Sequence, residues 1–429
     1  MLALALALGA GAAQAQTEIA WWHSMGGALG EQLNALAAKF NDSQKDYKVV
    51  PVYKGSYPES MTAAIAAFRA GNAPHILQVF EVGTATMMAA RGAIVPVAKV
   101  MSDAKEPFDP HVYLPTVSGY YTDLKGNMLS FPFNSSTVMF YINREAFKKA
   151  GLEPQAPKTW KEFQSAAEKL KAAGQQCVYT TSWPSWTHIE NFSAWHNVPI
   201  GTKQNGMGGF DTEFTINSPL HVRHVAMLGE LAKKGMFTYA GRTNQGDGKF
   251  ASGECAMVTA SAGAQATFRK NSKLDWSINF LPYYDDVKGA PQNSIIGGAS
   301  LWVMGGKKPQ EYKGVAKFFA FLSRPEVQMD WHVGTGYVPI TLAAYELTRK
   351  SGFYDKNPGA DMPVKQLTNK QPTPNSKGLR FGNFVQGREV IEEELEAVFA
   401  GRKEAKAALD DAVKRGNEIL RKFEAAAAR

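Results

Sequence analysis

Apolar positions along this chain alternate between two spacings, and the alternation repeats. "EIAWWHSM" (18–25) reads as a short strand that passes through Gly26 and Gly27 into a segment with Leu29, Leu33, Leu36 and Phe40 on one helical face. The strand-like "YKVVPVYKG" follows, then a helix carrying Met61, Ile65 and Phe68, the strand "HILQVF", and a helix beginning near "VGTATMMAA". This βαβαβα order predicts a sheet of largely parallel strands covered on both faces by helices. A second series runs from "TVMFYINREAFKKAGL" through "TWKEFQSAAEKLKAAG" to "CVYTTSW", so two α/β lobes are expected. At the C-terminal end, Val390, Ile391, Leu395 and Val398 form one apolar stripe, and Leu409, Val413, Leu420 and Phe423 form another.

One strand breaks its own pattern. "IIGGASLWVM" (295–304) is apolar enough to be buried, yet two glycines and a serine interrupt it. Glycine inside a strand forfeits packing and marks a close approach to the backbone, either by another strand or by a ligand.

Composition narrows the class. With 429 residues, 45% hydrophobic and 11% aromatic, the chain can bury a large core and is longer than a single domain usually is. Its formal charge of +8 comes from scattered lysines and arginines, with no run longer than pairs such as Lys148-Lys149 and Lys307-Lys308, which describes a solvated surface better than a nucleic-acid groove. Residues 1–15 form an apolar leader ending in Ala13-Gln14-Ala15, a pattern that signal peptidase accepts. The leader lacks the usual basic start, so the natural start is expected upstream of Met1. No later segment has the uninterrupted apolar length of a membrane span. The only cysteines are Cys177 and Cys255; neither stands at the cleavage point, where a lipid would be attached, so a free protein in an oxidising periplasm is expected. The two cysteines can pair there or remain separate buried thiols.

Enzyme motifs are missing one by one. "TASAG" (259–263) puts Thr259 where a nucleophile elbow needs glycine, so Ser261 is a poor nucleophile. The Gly26-Gly27-Ala28-Leu29-Gly30 turn lacks dinucleotide-loop spacing, and no phosphate loop occurs. His221 and His224 share a helical face without a metal-site companion, and read as a core or surface pair. No cofactor, no metal and no catalytic residue is therefore expected.

An exported, two-lobed chain without catalytic motifs fits a receptor whose lobes close on a solute. "NREAFKKAGL", "PKTWKEF", "KFASGECAMVTAS", "IIGGASLWVM", "HVGTGYVPI" and "GFYDKNPGA" together resemble the extracellular solute-binding proteins of carbohydrate-type ABC importers. "WWHSMGGALG", "ILQVFEVGTATMMA", "PFNSST", "ENFSAW" and "KGLRFGN" resemble the branch of that family that binds sn-glycerol 3-phosphate. The resemblance implies a maltose-binding-protein-like fold, each lobe a mostly parallel sheet flanked by helices. It implies lobe 1 at 16–131 plus 275–330 and lobe 2 at 132–274 plus 331–429, with crossings near "SFPFNSS" and "WSINFLP". It also implies a periplasmic monomer that delivers its ligand to a membrane permease pair driven by a cytoplasmic ATPase.

The family's pocket residues fall on Tyr57, Glu81, Ser136 (with Ser135 the register alternative), Ser261, Gly298, Tyr337 and Arg388, and its ligand-flanking tryptophans on Trp183 and Trp186. In this reading Arg388 forks onto phosphate oxygens, and its loss costs binding without a folding defect. Glu81 accepts hydrogen bonds at the glycerol end. Gly298 offers its N–H to the ligand. The alternative for Arg388 is a helix-surface pair with Glu392 four residues on. A glycerophosphodiester such as glycerophosphocholine shares the same core, and its trimethylammonium head could lie over Trp183 or Trp186. A receptor for neutral oligosaccharides on the same fold and an exported hydrolase are the competing readings.

Overall fold

The computed structural model describes residues 16–427 except Arg91 and Leu124, so the expected leader at 1–15 lies outside the described residues. Two sheets organise the chain. The first contains β1 (Thr17–His23), β2 (Tyr47–Tyr53), β3 (Ile76–Phe80), β4 (Ile94–Val95), β5 (Phe131–Ser136) and β10 (Gly297–Met304). Its order is β2-β1-β3-β10-β4, with β5 also paired to β10. The second contains β6 (Val138–Asn143), β7 (Cys177–Thr181), β8 (Cys255–Ser261) and β9 (Trp276–Asn279) in the order β7-β8-β6-β9.

The sheets are mixed rather than mostly parallel. β1 pairs in parallel with β2 and β3, but β10 runs antiparallel to β3, β4 and β5. In the second sheet β7 and β8 are parallel, while β6 is antiparallel to β8 and β9. The reason is that the chain crosses between sheets: a strand returning from the other sheet has no βαβ connection to force parallel pairing. The first crossing is abrupt, since β5 ends at Ser136 and β6 begins at Val138, with only Thr137 between them. The return differs from the expected boundary. Trp276–Asn279 pairs with β6, so residues 276–279 join the second sheet, and the chain re-enters the first only at Gly297.

Most expected helical faces are buried. Leu33, Leu36 and Phe40 of the helix Gly27–Ser43 enter the first core cluster. Phe163, Ala167 and Leu170 of the helix Trp160–Ala172 line the second sheet, and its start is fixed by a capping box between Thr159 and Glu162. The helix Tyr57–Arg69 departs from expectation: Met61 is buried, whereas Ile65 and Phe68 are 44% and 39% exposed. The two C-terminal helices, Phe384–Phe399 and Ala405–Ala427, pack through Ile391, Leu395, Val398, Leu409 and Leu420 into a cluster that also holds Leu77 and Val79 of β3.

His221 and His224 lie in the core. His224 Nε2 sits 3.0 Å from His188 Nδ1, and His221 is hydrogen-bonded to Ser193 and Ser218. Burial pushes His188 down to about 3, and His196 and His221 to about 4, so all three are neutral in the folded protein. Cys177 and Cys255 are register partners on β7 and β8, joined by a disulfide with Cα atoms 4.4 Å apart.

Two stability measurements follow from these cores. Histidines buried neutral must charge on unfolding, so their contribution is present above about pH 6.5 and is lost as pH falls towards about 4. The thermal midpoint should drop across that window, and replacing His221 with an uncharged isostere should flatten the drop. The disulfide closes a loop of 78 residues, so its reduction should lower the urea unfolding free energy by about 2–4 kcal/mol. An unchanged midpoint under reductant would show that the strand pairing alone holds β7 against β8.

Candidate ligand-binding site

The C-terminal ends of strands from both sheets converge on one cavity. β1 leads into Ser24 and Met25, β3 into Glu81, β7 into Trp183 and Trp186, and β8 ends at Ser261. Strand ends of this kind are where open α/β sheets present side chains and free backbone groups to ligands. The cavity has a volume of about 300 Å³, enough for a small polar molecule. Tyr57, Glu81, Trp183, Trp186, Ser261, Gly298, Tyr337 and Arg388 all line it. Ser136 does not reach its wall. It lies one layer behind, with its Oγ 2.6 Å from Ser261 Oγ and accepting the Ala262 N–H at 3.0 Å. Ser135 is buried, and its hydroxyl has no hydrogen-bond partner among the described residues.

Arg388 projects from the helix Phe384–Phe399 into a cluster of acids. Its Nε and Nη2 donate to the two oxygens of Glu190 at 2.9 and 2.6 Å, and Nη2 also donates to Glu81 Oε1 at 2.7 Å. All three side chains are at least nine-tenths buried. Burial drives the Glu81 carboxyl up from its ordinary value, and the guanidinium opposes that rise. Two expectations are thereby corrected. Glu392 is not the partner of Arg388; it accepts the Ser185 N–H at 2.9 Å, and burial raises it to about 8. Nor can Arg388 and Glu81 serve opposite ends of one ligand, because they touch.

Glu81 and Arg388 are held by an aromatic stack. The guanidinium lies 5.8 Å from the Phe80 ring, Phe80 stacks on Tyr57 at 5.1 Å, and Tyr57 meets Trp183 at 6.3 Å. Polar ties fix the tyrosine: Asn134 Nδ2 donates to Tyr57 Oη at 3.1 Å, and Gln78 donates to Asn134 at 2.9 Å. Trp183 adopts φ +55°, a left-handed conformation that is costly for a bulky residue. Its N–H donates to the Thr243 carbonyl at 2.9 Å, which pins the turn.

The glycines of β10 have a structural reason. Gly298 has φ +83°, and a Cβ there would lie 1.8 Å from the Asn134 carbonyl oxygen of β5. A Cβ on Gly297 would lie 2.3 Å from the Trp186 ring. Close approach by a neighbouring strand and a tryptophan, rather than room for a ligand, therefore explains why this strand gives up side chains. Gly298 still borders the cavity.

Several lining or supporting residues carried no signal in the sequence. Glu190 opens "ENFSAW", where nothing but its acidic side chain could have marked it. Asp247 follows two residues of no particular pattern, and Ser24, Thr243 and Asn244 are loop residues.

A family model described as bacterial extracellular solute-binding protein matches residues 35–362. The chain belongs to that family. The sn-glycerol-3-phosphate-binding periplasmic protein UgpB of Yersinia pseudotuberculosis is 55% identical over 412 residues, covering 96% of this chain and 94% of the relative. The protein of the same name from Pectobacterium atrosepticum is 56% identical over 410 residues, covering 95% and 92%. Among solved structures, UgpB from Mycobacterium tuberculosis in complex with glycerophosphocholine aligns over 95% of this chain and 99% of its own, with a TM-score of 0.78 at 20% identity. Maltose-bound MalE3 of T. maritima aligns with a TM-score of 0.76 at 17% identity, over 94% and 99% of the two chains. These structural likenesses establish the two-lobed solute-binding fold.

The buried cluster makes Arg388 a stability residue. Arg388→Ala leaves two carboxylates facing each other without a counter-charge and should cost about 3–5 kcal/mol in urea unfolding. Adding Glu190→Gln should return part of that loss. A wild-type midpoint for Arg388→Ala alone would mean that Glu81 and Glu190 are solvated in solution.

Proposed function

We propose that the protein is a periplasmic receptor that captures sn-glycerol 3-phosphate and glycerophosphodiesters and delivers them to an ABC import permease pair powered by a cytoplasmic ATPase. The observation that carries the reading is the polarity of the cavity, which is lined both by a buried acid and guanidinium pair and by the uncharged hydroxyl residues Ser261 and Tyr337. Relatives named for sn-glycerol 3-phosphate, identical at more than half of their aligned positions, support the same choice.

The ligand lies in an orientation opposite to the one implied for Arg388 by resemblance. Arg388 with Glu81 and Glu190 carries one positive charge against two carboxylates, so a phosphate dianion placed there meets net repulsion in a buried setting. A diol suits the pair better: Nη1 of Arg388 has no protein acceptor among the described residues, and the second oxygen of Glu81 accepts no hydrogen bond from them, so each can serve a hydroxyl. Glycerol therefore belongs at Glu81 and Arg388. Phosphate belongs where Ser261 and Tyr337 offer hydroxyl donors, backed by Ser136 through its 2.6 Å contact with Ser261. Trp183, Trp186 and Tyr57 cover the carbon skeleton.

Transport without turnover fits the same residues. Ser261 Oγ is engaged by Ser136 Oγ and the Gly263 N–H, and among the described residues no histidine hydrogen-bonds to it, so a general base is lacking. The lobes follow the sheets, and the hinge lies where the chain changes sheet, at Thr137 and within residues 280–296. A neutral oligosaccharide receptor would have no use for a buried acid and guanidinium pair at one end of so small a cavity.

Calorimetric titration with glycerol 3-phosphate, glycerophosphocholine, inorganic phosphate and maltose tests the reading. The first two should bind and maltose should not. Glu81→Gln should weaken glycerol 3-phosphate by about ten-fold and leave competition by inorganic phosphate unchanged, whereas Ser261→Ala should weaken both. Equal weakening of inorganic phosphate by Glu81→Gln would reverse the orientation; maltose binding in place of glycerol 3-phosphate would replace the function.

A further inference from the structure

A second cavity, of about 730 Å³, shares no lining residue with the ligand cavity. Its walls come from residues 114–123 around the helix Pro115–Tyr121, from Gln204 and Met207, and from residues 367–380. Arg380 lines it and is only 8% exposed. Its Nη2 donates to the Gly119 and Tyr120 carbonyls at 3.2 and 2.8 Å, near the end of that helix. Nε is buried without a hydrogen-bond partner among the described residues, and Nη1 has no acceptor among them either. No carboxylate among them forms an ion pair with it, and burial pushes the guanidinium down from its ordinary value. Two helix carbonyls need only a pair of amide donors, so their capture does not account for a full positive charge left without a partner.

The other charges of this cavity reinforce that imbalance. Lys370 and Lys377 line the same walls and are exposed. Lys370 Nζ donates to the Gly289 carbonyl at 3.2 Å, and Lys377 forms no ion pair with the described residues. Asp123 is the one acid among the described lining residues, and it is committed to its own turn. Its Oδ1 accepts the N–H groups of Lys125 and Asn127 at 2.8 and 2.9 Å, and its Oδ2 accepts Asn127 Nδ2 at 3.1 Å. Three cations against one occupied carboxylate make a cavity that attracts anions. Thr116, Gln204 and Gln371 add uncharged hydrogen-bond donors to the same walls.

We propose that Arg380, Lys370 and Lys377 form a second anion site, separate from the ligand cavity, that takes a phosphate-class oxyanion carrying two or more negative charges. The charge count selects such a ligand, because a single carboxylate would leave the walls positive. A guanidinium also matches the spacing of phosphoryl oxygens, and the flanking ammonium groups supply point charges around it. The volume exceeds that of one phosphate, so pyrophosphate and phosphomonoesters fit as well. The two cavities thus differ in kind. Arg388 meets its ligand with its charge already balanced by Glu81 and Glu190, whereas Arg380 has its counter-ion still to find. The inference stands independently of the receptor reading.

The test is calorimetric titration of the full mature chain with pyrophosphate, alone and with glycerol 3-phosphate in excess. The parent should bind pyrophosphate in both conditions. The double variant Lys370→Ala with Lys377→Ala should lose at least about ten-fold in pyrophosphate affinity at an unchanged thermal midpoint. Lys233→Ala with Lys234→Ala removes the same charge from another exposed pair and should stay within about two-fold of the parent. Arg380→Gln keeps an amide for the helix carbonyls and should weaken pyrophosphate further; the lysine variants decide the matter if it fails to fold. Pyrophosphate binding that disappears under excess glycerol 3-phosphate would place the anion in the ligand cavity and overturn the site. Equal losses in the two lysine pairs would overturn it in favour of diffuse surface charge. Undiminished binding without Lys370 and Lys377, or no binding by the parent, would overturn it outright. Failure of glycerol 3-phosphate to bind touches only the receptor reading.

Discussion

The charge of Arg388 is the interaction on which the rest of the cavity depends. Its two partners arrive from different directions, Glu81 from the end of β3 and Glu190 from the segment after β7, and each is a buried carboxylate. Without the guanidinium neither acid could remain ionised away from water, because desolvation of an unpaired carboxylate costs several kcal/mol. With it, the helix Phe384–Phe399, the first sheet and the second sheet are tied at one point. That point is also the wall of the cavity, so the polarity offered to a ligand and the stability of the fold share one set of hydrogen bonds.

Around it, the remaining walls are held by neutral contacts. Phe80 and Tyr57 stack at an interplanar angle of 5°, and Tyr337 stacks on Trp331 at 4°. Asn134 links Tyr57 to Gln78, and Ser136 supports Ser261 across the point where the chain changes sheet. These ties leave few donors free to relax, so a ligand meets hydroxyls that already point in fixed directions, and little ordering is needed when it binds. The cavity is thus uneven in charge: the guanidinium is balanced by its acids, whereas Asp247 has no cationic partner among the described residues.

Much of the architecture was legible in the sequence because the signals involved are local. Alternation of apolar residues reports which face of a strand or helix is buried, and it identified the helices of both lobes, the paired C-terminal stripes and the α/β class. The exceptions are physical ones: Ile65 and Phe68 keep helical spacing yet stay exposed because nothing packs over that side of the helix. Strand direction was misread for β10, since an antiparallel return from another sheet leaves no mark on the strand's own composition. Motif resemblance located eight residues of the cavity wall and one residue directly behind it, because it matches positions without needing their contacts.

The sequence by itself determined that this chain folds as two α/β lobes, that it carries no recognisable catalytic or nucleotide motif, and which short stretches gather at the cavity. Only the tertiary structure decided what those residues do to one another. Arg388 meets Glu81 across 307 positions and Glu190 across 198, separations at which no periodicity or spacing predicts a pair. Gly298 owes its lack of a side chain to the Asn134 carbonyl on a strand more than a hundred residues earlier. Asp247 is notable only because the fold buries it without a cationic partner among the described residues. In each case the deciding quantity is an energy of charge or contact between groups brought together by the fold, and a linear pattern of polar and apolar residues does not encode it.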